Sequence, residues 1–255
     1  WLPPPLFVPL LPPLSLPFFL QKHPPHAHAP LKQQGQQLWY HVVGTPQSAD
    51  ALVLSVPEHP DWSIGSALDD AGETLWVSLS QGTSPANRLW AVDLAAVPRG
   101  GRDGALDFAA LDGAGGSGEK ERKREEGPSP NLPLAKLVDD FESSYDYLAT
   151  RALDGKDVFM TNANAPLYRL VVGDARAAIV AAAAKGNAKG SSKKAPPPIG
   201  DWPDLVAQHP RHTLQFAKAM KGDEALVLGY LEDVATVLRH GSLVDGLGAA
   251  GGEGG

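Results

Sequence analysis

The sequence predicts an all-β fold assembled from repeated sheets, and three observations carry that prediction. First, three stretches can be laid over one another: DDAGETLWVSLSQGTSPANRLWAVDL from Asp69, LDGKDVFMTNANAPLYRLVVGD from Leu153 and MKGDEALVLGYLEDVATVLRHGSL from Met220. Each has a turn with Gly, an apolar run of strand composition, a short polar break and a second strand-like run. Second, the turn glycines Gly72, Gly155 and Gly222 lie 83 and 67 residues apart, and the intervals fall to 44 and 41 once the low-complexity stretches 95–133 and 175–200 are left out. Third, the runs outside the low-complexity stretches read as strands, while Ala177–Ala184 could make a helical turn or two. A period of about 40–45 residues with about four strands per unit marks β-propeller blades, so the expected fold is a partial β-propeller of about three four-stranded blades. A blade cannot bury both faces alone and must pack on neighbours.

The elements follow in chain order. Residues 1–36 hold seven prolines in their first twenty positions and read as a Pro-rich, polyproline-like or disordered leader. Its apolar residues suggest a membrane segment, but proline removes helix hydrogen bonds, and neither a basic leader nor a small-residue cleavage site is present. The propeller domain is placed at 37–250. LWYHVV (38–43) and ALVLSV (51–56) form a hairpin across the turn-rich GTPQSAD. PEHPDW (57–62) reads as a loop, and 66–70 lead into the first repeat. LWVSL (75–79) and RLWAVDL (88–94) are the next strand pair. Residues 95–133 and 175–200 read as exposed Gly-, Ala- and charge-rich insertions. LAKLV (134–138), Val158–Thr161 and YRLVV (168–172) are assigned to the second unit, and 202–243 to the third. The tail, 251–255, is Gly-rich. The chain opens on Trp1 and not Met, which points to a piece of something longer.

Composition narrows the function. The net charge of −7 offers no basic face for nucleic acid, and the charge run EKERKREE (119–126) balances four acids with four bases. With no cysteine there is no disulfide framework and no thiolate metal site, which fits a reducing compartment, and the expected location is cytoplasmic. No nucleic-acid or membrane partner is expected.

Motifs that could carry chemistry have simpler readings. Gly113, Gly115 and Gly118 match G-x-G-x-x-G but lack the flanking strand and helix that make it a phosphate cradle. Ser117 resembles a nucleophile elbow, yet Glu119 stands where the tight turn needs Gly. His23, His26 and His28 lie in the Pro-rich leader with no scaffold to fix a metal. His41, His59, His209, His212 and His240 are scattered, and none has a Ser or Asp at an informative spacing. No catalytic residue, no metal ligand and no cofactor site is predicted. The segment DDFESSYDY, with the following Asp154, gathers five carboxylates (Asp139, Asp140, Glu142, Asp146, Asp154) around Phe141, Tyr145 and Tyr147. Paired carboxylates can do acid–base work, but a solvated connection with inward-packing aromatics explains the composition better. Trp39, Trp62, Trp76 and Trp90 read as blade-packing residues.

G-T-x-Q-S, S-P-x-N-R-L-W and D-x-F-E-x-x-Y-D-Y, taken together and in this order, are similar to the N-terminal propeller domain of prolyl oligopeptidase, a serine peptidase family. The resemblance runs over roughly 37–172 and more loosely over 202–250. It implies a seven-bladed propeller capping an α/β-hydrolase domain, so that only short proline-containing peptides reach a Ser–Asp–His triad lying outside this chain. It also implies that Ser63, Ser80 and Thr83 line the substrate cavity, where mammalian members carry Met, Arg and Cys. All three depart from that pattern, since Ser and Thr supply neither an apolar wall nor a charge. The expected function is therefore the non-catalytic, access-limiting part of such a peptidase. The alternatives are a free-standing propeller-type interaction module, or a truncated gene product without function of its own.

Overall fold

The computed structural model describes residues 17–22, 34–69, 71–100, 104–112, 132–153, 156–180, 197–220 and 225–242. These form four antiparallel sheets in chain order. The first contains β1 (Pro17–Lys22), β2 (Gln37–Val42) and β3 (Ala51–Ser55). The second contains β4 (Trp62–Leu68), β5 (Thr74–Gln81), β6 (Asn87–Asp93) and, beyond a small hairpin of β7 (Arg99–Gly100) and β8 (Ala105–Leu106), β9 (Leu134–Val138). The third contains β10 (Tyr145–Leu153), β11 (Lys156–Thr161), β12 (Arg169–Gly173) and β13 (Asp204–Val206). The fourth contains β14 (Thr213–Ala219), β15 (Ala225–Glu232) and β16 (Ala235–Ser242). Each sheet pairs strands in sequence order, the up-and-down meander of a propeller blade.

The repeat now has a structural meaning: it is the pair formed by the second and third strands of a sheet, β5–β6, β11–β12 and β15–β16. Gly72, the turn glycine of the first copy, has φ +65°, a left-handed value that costs a side chain energy and glycine almost none. β2–β3 is the corresponding pair of the first sheet. Its long GTPQSAD connection hides it from the repeat.

Period-two alternation sends the side chains of each inner sheet to two different cores. Leu75, Val77 and Leu79 of β5, with Trp90 and Val92 of β6, pack against Leu38, Tyr40, Val53 and Leu54 of the first sheet. Trp76, Leu89 and Ala91 point the other way, onto Tyr145, Phe159 and Val171 of the third. Val158, Met160 and Leu170 then meet Leu214, Ala217, Leu226, Leu228 and Tyr230 of the fourth. Trp62, Trp76 and Trp90 are buried as expected of packing residues, and Trp39 is half-buried beneath the Lys22 ammonium, 4.7 Å from its ring centroid.

The structure corrects several boundaries. The leader is not disordered to residue 36, because Pro17–Lys22 pairs along the whole of β2, from Pro17 opposite Val42 to Lys22 opposite Gln37. Pro17 is tolerated as the first residue of an edge strand, and the Phe18–Leu20 run after it carries no further proline. Phe19 packs on Tyr40 and Phe108.

Segment 95–133 is not simply an exposed loop. Val97 and Phe108 are buried, and the Leu106 amide donates to the Tyr40 hydroxyl at 3.1 Å, so its first part closes the core between the first two sheets. Residues 175–180 are helical, two residues earlier than expected, with Ala175, Ala178 and Ile179 buried; Ile199 and Gly200 are buried as well. Unit boundaries move too: Leu134–Val138 is the outer strand of the second sheet, and Asp204–Val206 is that of the third. Beside it, Gly173 makes room for Trp202, whose ring would lie 2.2 Å from a Cβ at that position. The expected three four-stranded units resolve, among the described residues, into two four-stranded and two three-stranded sheets. Calls on residues 1–16, 23–33, 113–131, 154, 155, 181–196, 222 and 243–255 lie outside the described residues.

Candidate site at the loop end of the sheets

Strand direction sorts the connections into two ends. Residues 56–61, 82–86, 139–144, 162–168, 207–212 and 233–234 lie at one end, which begins with Trp62 on β4 and Tyr145 on β10. The two long segments leave after Asp93 and Gly173, at the opposite end.

Ser63, Ser80 and Thr83 come together there. Ser63 faces Ser80 directly across β4–β5, and Ser80 faces Asn87 across β5–β6. Cross-strand partners share a face, so the three form a polar row pointing toward the third sheet. Thr83 sits in the turn just beyond. Ser63 and Thr83 are exposed and Ser80 is half-buried. The cost of placing Ser63 in an edge strand is small, because only one side of β4 is paired. That also explains why the segment lacks an apolar run.

Asn87 ends the row and locks it to the next sheet. It is buried, its Oδ1 accepts the Tyr145 N–H at 2.7 Å, and its Nδ2 donates to Tyr145 O at 3.0 Å and to Arg88 O at 3.2 Å. The Asn87 amide donates to Ser143 O at 3.1 Å. One side chain thereby substitutes for a pair of ladder bonds between two sheets that do not otherwise share a ladder.

An aromatic and cationic cluster supports the same end. The Arg88 guanidinium lies 4.5 Å from the Trp62 ring centroid and 4.8 Å from that of Phe141. Trp62 meets Phe141 edge-on at 5.0 Å, and His59 stacks on Trp62 at 3.9 Å. Asp139 Oδ1 accepts from Arg88 Nη1 at 2.9 Å and from Trp90 Nε1 at 3.0 Å. A guanidinium held over two rings and neutralised by a carboxylate is a stiff joint, and it ties loop 139–144 down beside Ser80 and Thr83. Arg88 and Asn87 stood in the S-P-x-N-R-L-W motif, but their roles depend on Trp62, Phe141 and Tyr145, far away in sequence. The usable signal was a charged residue at the head of an apolar strand.

The remaining candidates are placed singly. Asp139 is occupied by Arg88, Asp140 Oδ1 accepts the Glu142 amide at 3.1 Å, and Asp146 Oδ2 accepts from Ser144 Oγ at 3.4 Å. Each of these three carboxylates accepts a hydrogen bond from a different partner. Phe141, Tyr145 and Tyr147 pack inward as expected, Tyr147 stacking on Trp76 at 5.0 Å. Burial pushes the Tyr145 hydroxyl above the ordinary tyrosine range, and the Asp140 charge adds to the effect. One histidine does have an aspartate partner, contrary to the spacing argument: His41 Nδ1 lies 2.6 Å from Asp50 Oδ1 across the β2–β3 pair. The other Asp50 oxygen is taken by Lys22. Burial raises the Asp50 carboxyl's proton affinity, but hydrogen bonds and charge from Lys22 and His41 outweigh it and leave its pKa below the ordinary value.

Among the described residues, neither Ser63 nor Ser80 is hydrogen-bonded to a histidine, so neither has the base that activates a serine nucleophile. No cluster of three metal-ligating side chains occurs among them. Among the described residues, no helix is long and apolar enough to cross a membrane.

A meander of sheets with shared inter-sheet cores and a polar loop end defines part of a β-propeller. Residues 17–247 match the family of the prolyl oligopeptidase N-terminal β-propeller domain, and the chain belongs to that family. It is 28% identical over 165 residues to prolyl oligopeptidase A of Amanita bisporigera, covering 62% of this chain and 18% of that protein. It is 26% identical over 136 residues to the dual function macrocyclase-peptidase POPB of Galerina marginata, covering 53% and 14%. The structure of apo prolyl oligopeptidase B from Galerina marginata superposes with a TM-score of 0.60 at 21% identity, over 89% of this chain and 24% of that one. The same enzyme bound to a 35mer hydrolysis and macrocyclization substrate gives 0.61 at 20% identity. The chain therefore spans about a fifth of the curated relatives it matches.

Proposed function

We propose that this chain forms the access-limiting wall of a prolyl oligopeptidase-type serine peptidase. Its sheets hold a polar surface beside the substrate path, and a Ser–Asp–His site on an α/β-hydrolase domain beyond these residues cleaves short proline-containing peptides. The observation that carries the reading is the row Ser63–Ser80 with Thr83, gathered at the loop end and lacking a base. Support comes from the family assignment and from relatives that are peptidases by name. The wall differs in chemistry from that of mammalian members: three hydroxyls can hydrogen-bond a peptide, but they present no apolar side chain and no charge.

The purified chain is expected to show no turnover of a fluorogenic Gly-Pro peptide, and turnover above buffer that survives further purification would overturn the reading. Access is tested with a hybrid in which residues 17–247 replace the matching segment of a relative. It is expected to cleave a short proline-containing peptide and to spare a folded protein bearing the same site. Cleavage of both would remove the access-limiting role.

A further inference from the structure

Loop 207–212 joins β13 to β14 and carries two histidines that the proposed function does not use. His209 is half-buried, and its Nδ1 accepts the backbone N–H of Arg211 at 3.2 Å and of His212 at 3.0 Å. A backbone N–H can only donate, so Nδ1 presents its lone pair and the ring proton resides on Nε2. The arrangement copies an Asx turn, with a side-chain acceptor taking the amides two and three residues on. Pro210 between them fixes φ and adds no competing N–H.

This turn is the joint between the third and fourth sheets. Gln208 Oε1 accepts the Leu167 N–H at 2.8 Å, and the Leu214 N–H donates to Leu167 O at 3.0 Å. Both backbone groups of Leu167, in the 162–168 connection of the third sheet, are held by residues flanking the 209–212 turn. The turn's shape therefore sets the grip on Leu167.

The surroundings of the ring are defined. His212 lies 4.5 Å away and Tyr230 of β15 lies 5.6 Å away, centroid to centroid. Arg211 shares the loop. Arg239 of β16 sits 5.3 Å over Tyr230 and pairs with Glu232 at 2.6 Å. Burial, followed by His212, Arg239 and Arg211, disfavours a protonated His209 ring, and Glu232 alone favours it; the net effect holds its pKa below the ordinary histidine value.

We propose that His209 is a proton-operated catch on this joint: a proton on Nδ1 turns the acceptor of two amides into a donor facing two donors, which opens the 209–212 turn and releases Leu167. The proton comes from solvent.

The test is NMR on the full chain between pH 8 and pH 5, following the His209 ring and the amides of Leu167, Arg211 and His212. In step with the ring's titration, the three amides are expected to lose protection by about tenfold beyond the ordinary pH dependence of exchange, the size of losing hydrogen bonds of common net strength. His209→Asn keeps a side-chain oxygen for the same two amides and cannot titrate, so the step should vanish. His212→Gln removes a neighbouring charge, so the step should persist with its midpoint moved to higher pH. A ring that titrates while the three amides keep their protection would overturn the proposal, as would a step that survives His209→Asn.

Discussion

The second and fourth sheets begin with the same three-strand meander yet live in different surroundings. In the second, β5 has its first four residues buried, because alternate side chains enter cores on both sides. In the fourth, Leu226, Leu228 and Tyr230 of β15 pack on the third sheet, while Leu231 is 40% exposed and Leu238 on β16 is 64% exposed. The strands are comparably apolar. What differs is whether a neighbour lies on each face, so burial in this array is a property of position between sheets and not of the strand itself.

The largest expected effect tests that contrast directly. Phe159 is fully buried and meets Trp76 at 5.1 Å, Tyr147 at 5.6 Å and Trp202 at 5.8 Å. Phe159→Ala should cost about 3–5 kcal/mol through lost transfer energy and an unfilled cavity. Leu238→Ala should stay within about 0.5 kcal/mol, as for surface positions generally. Urea unfolding of both variants measures the difference. Equal costs would mean that the outer face of the fourth sheet is covered in solution.

A smaller effect compares the two polar joints between sheets. Asn87 is buried and its amide is fully used between the second and third sheets, so Asn87→Ala strands the Tyr145 N–H and C=O and should cost about 2–3 kcal/mol. Gln208 bridges the third and fourth at a half-exposed site where water can replace it, and Gln208→Ala should cost about 1 kcal/mol or less. Matching losses would show that the second joint is as dry as the first.

The same contrast explains what was legible in the sequence. Strands buried on both faces, such as LWVSL and RLWAVDL, announce themselves as apolar runs, and the repeat found the central pair of three sheets. β4 is an edge strand of Ser, Gly and Ala around Trp62 and Ile64, with too few apolar residues to show a period. β1 was concealed by the prolines that precede it, since its pairing with β2 is a long-range fact. The positions Ser63, Ser80 and Thr83 came from family likeness, and register then brought them side by side. The Arg88 cluster was out of reach, because it depends on which loops meet at one end of the sheets. The His209 turn is local, but a histidine is not among the residues whose side chains ordinarily cap such turns.

The smallest effect concerns the tip of β15–β16, where the fourth sheet is least supported. Asp233 and Val234 both have left-handed φ, at 43° and 69°, the geometry of a two-residue hairpin turn that favours Asn-Gly. Val234 is 98% exposed, so packing contributes nothing to offset the clash of a β-branched side chain in that region. Relieving such a conformation is worth about 1–2 kcal/mol, and the extra freedom of glycine in the unfolded chain returns about 0.5–1 kcal/mol. Val234→Gly should therefore stabilise the hairpin by about 0.5–1 kcal/mol, read as slower amide exchange along β15 and β16 with the first two sheets unchanged. Faster exchange would mean that the Val234 side chain is held by a contact in solution, and the fourth sheet would then be a docking face and not a bare end.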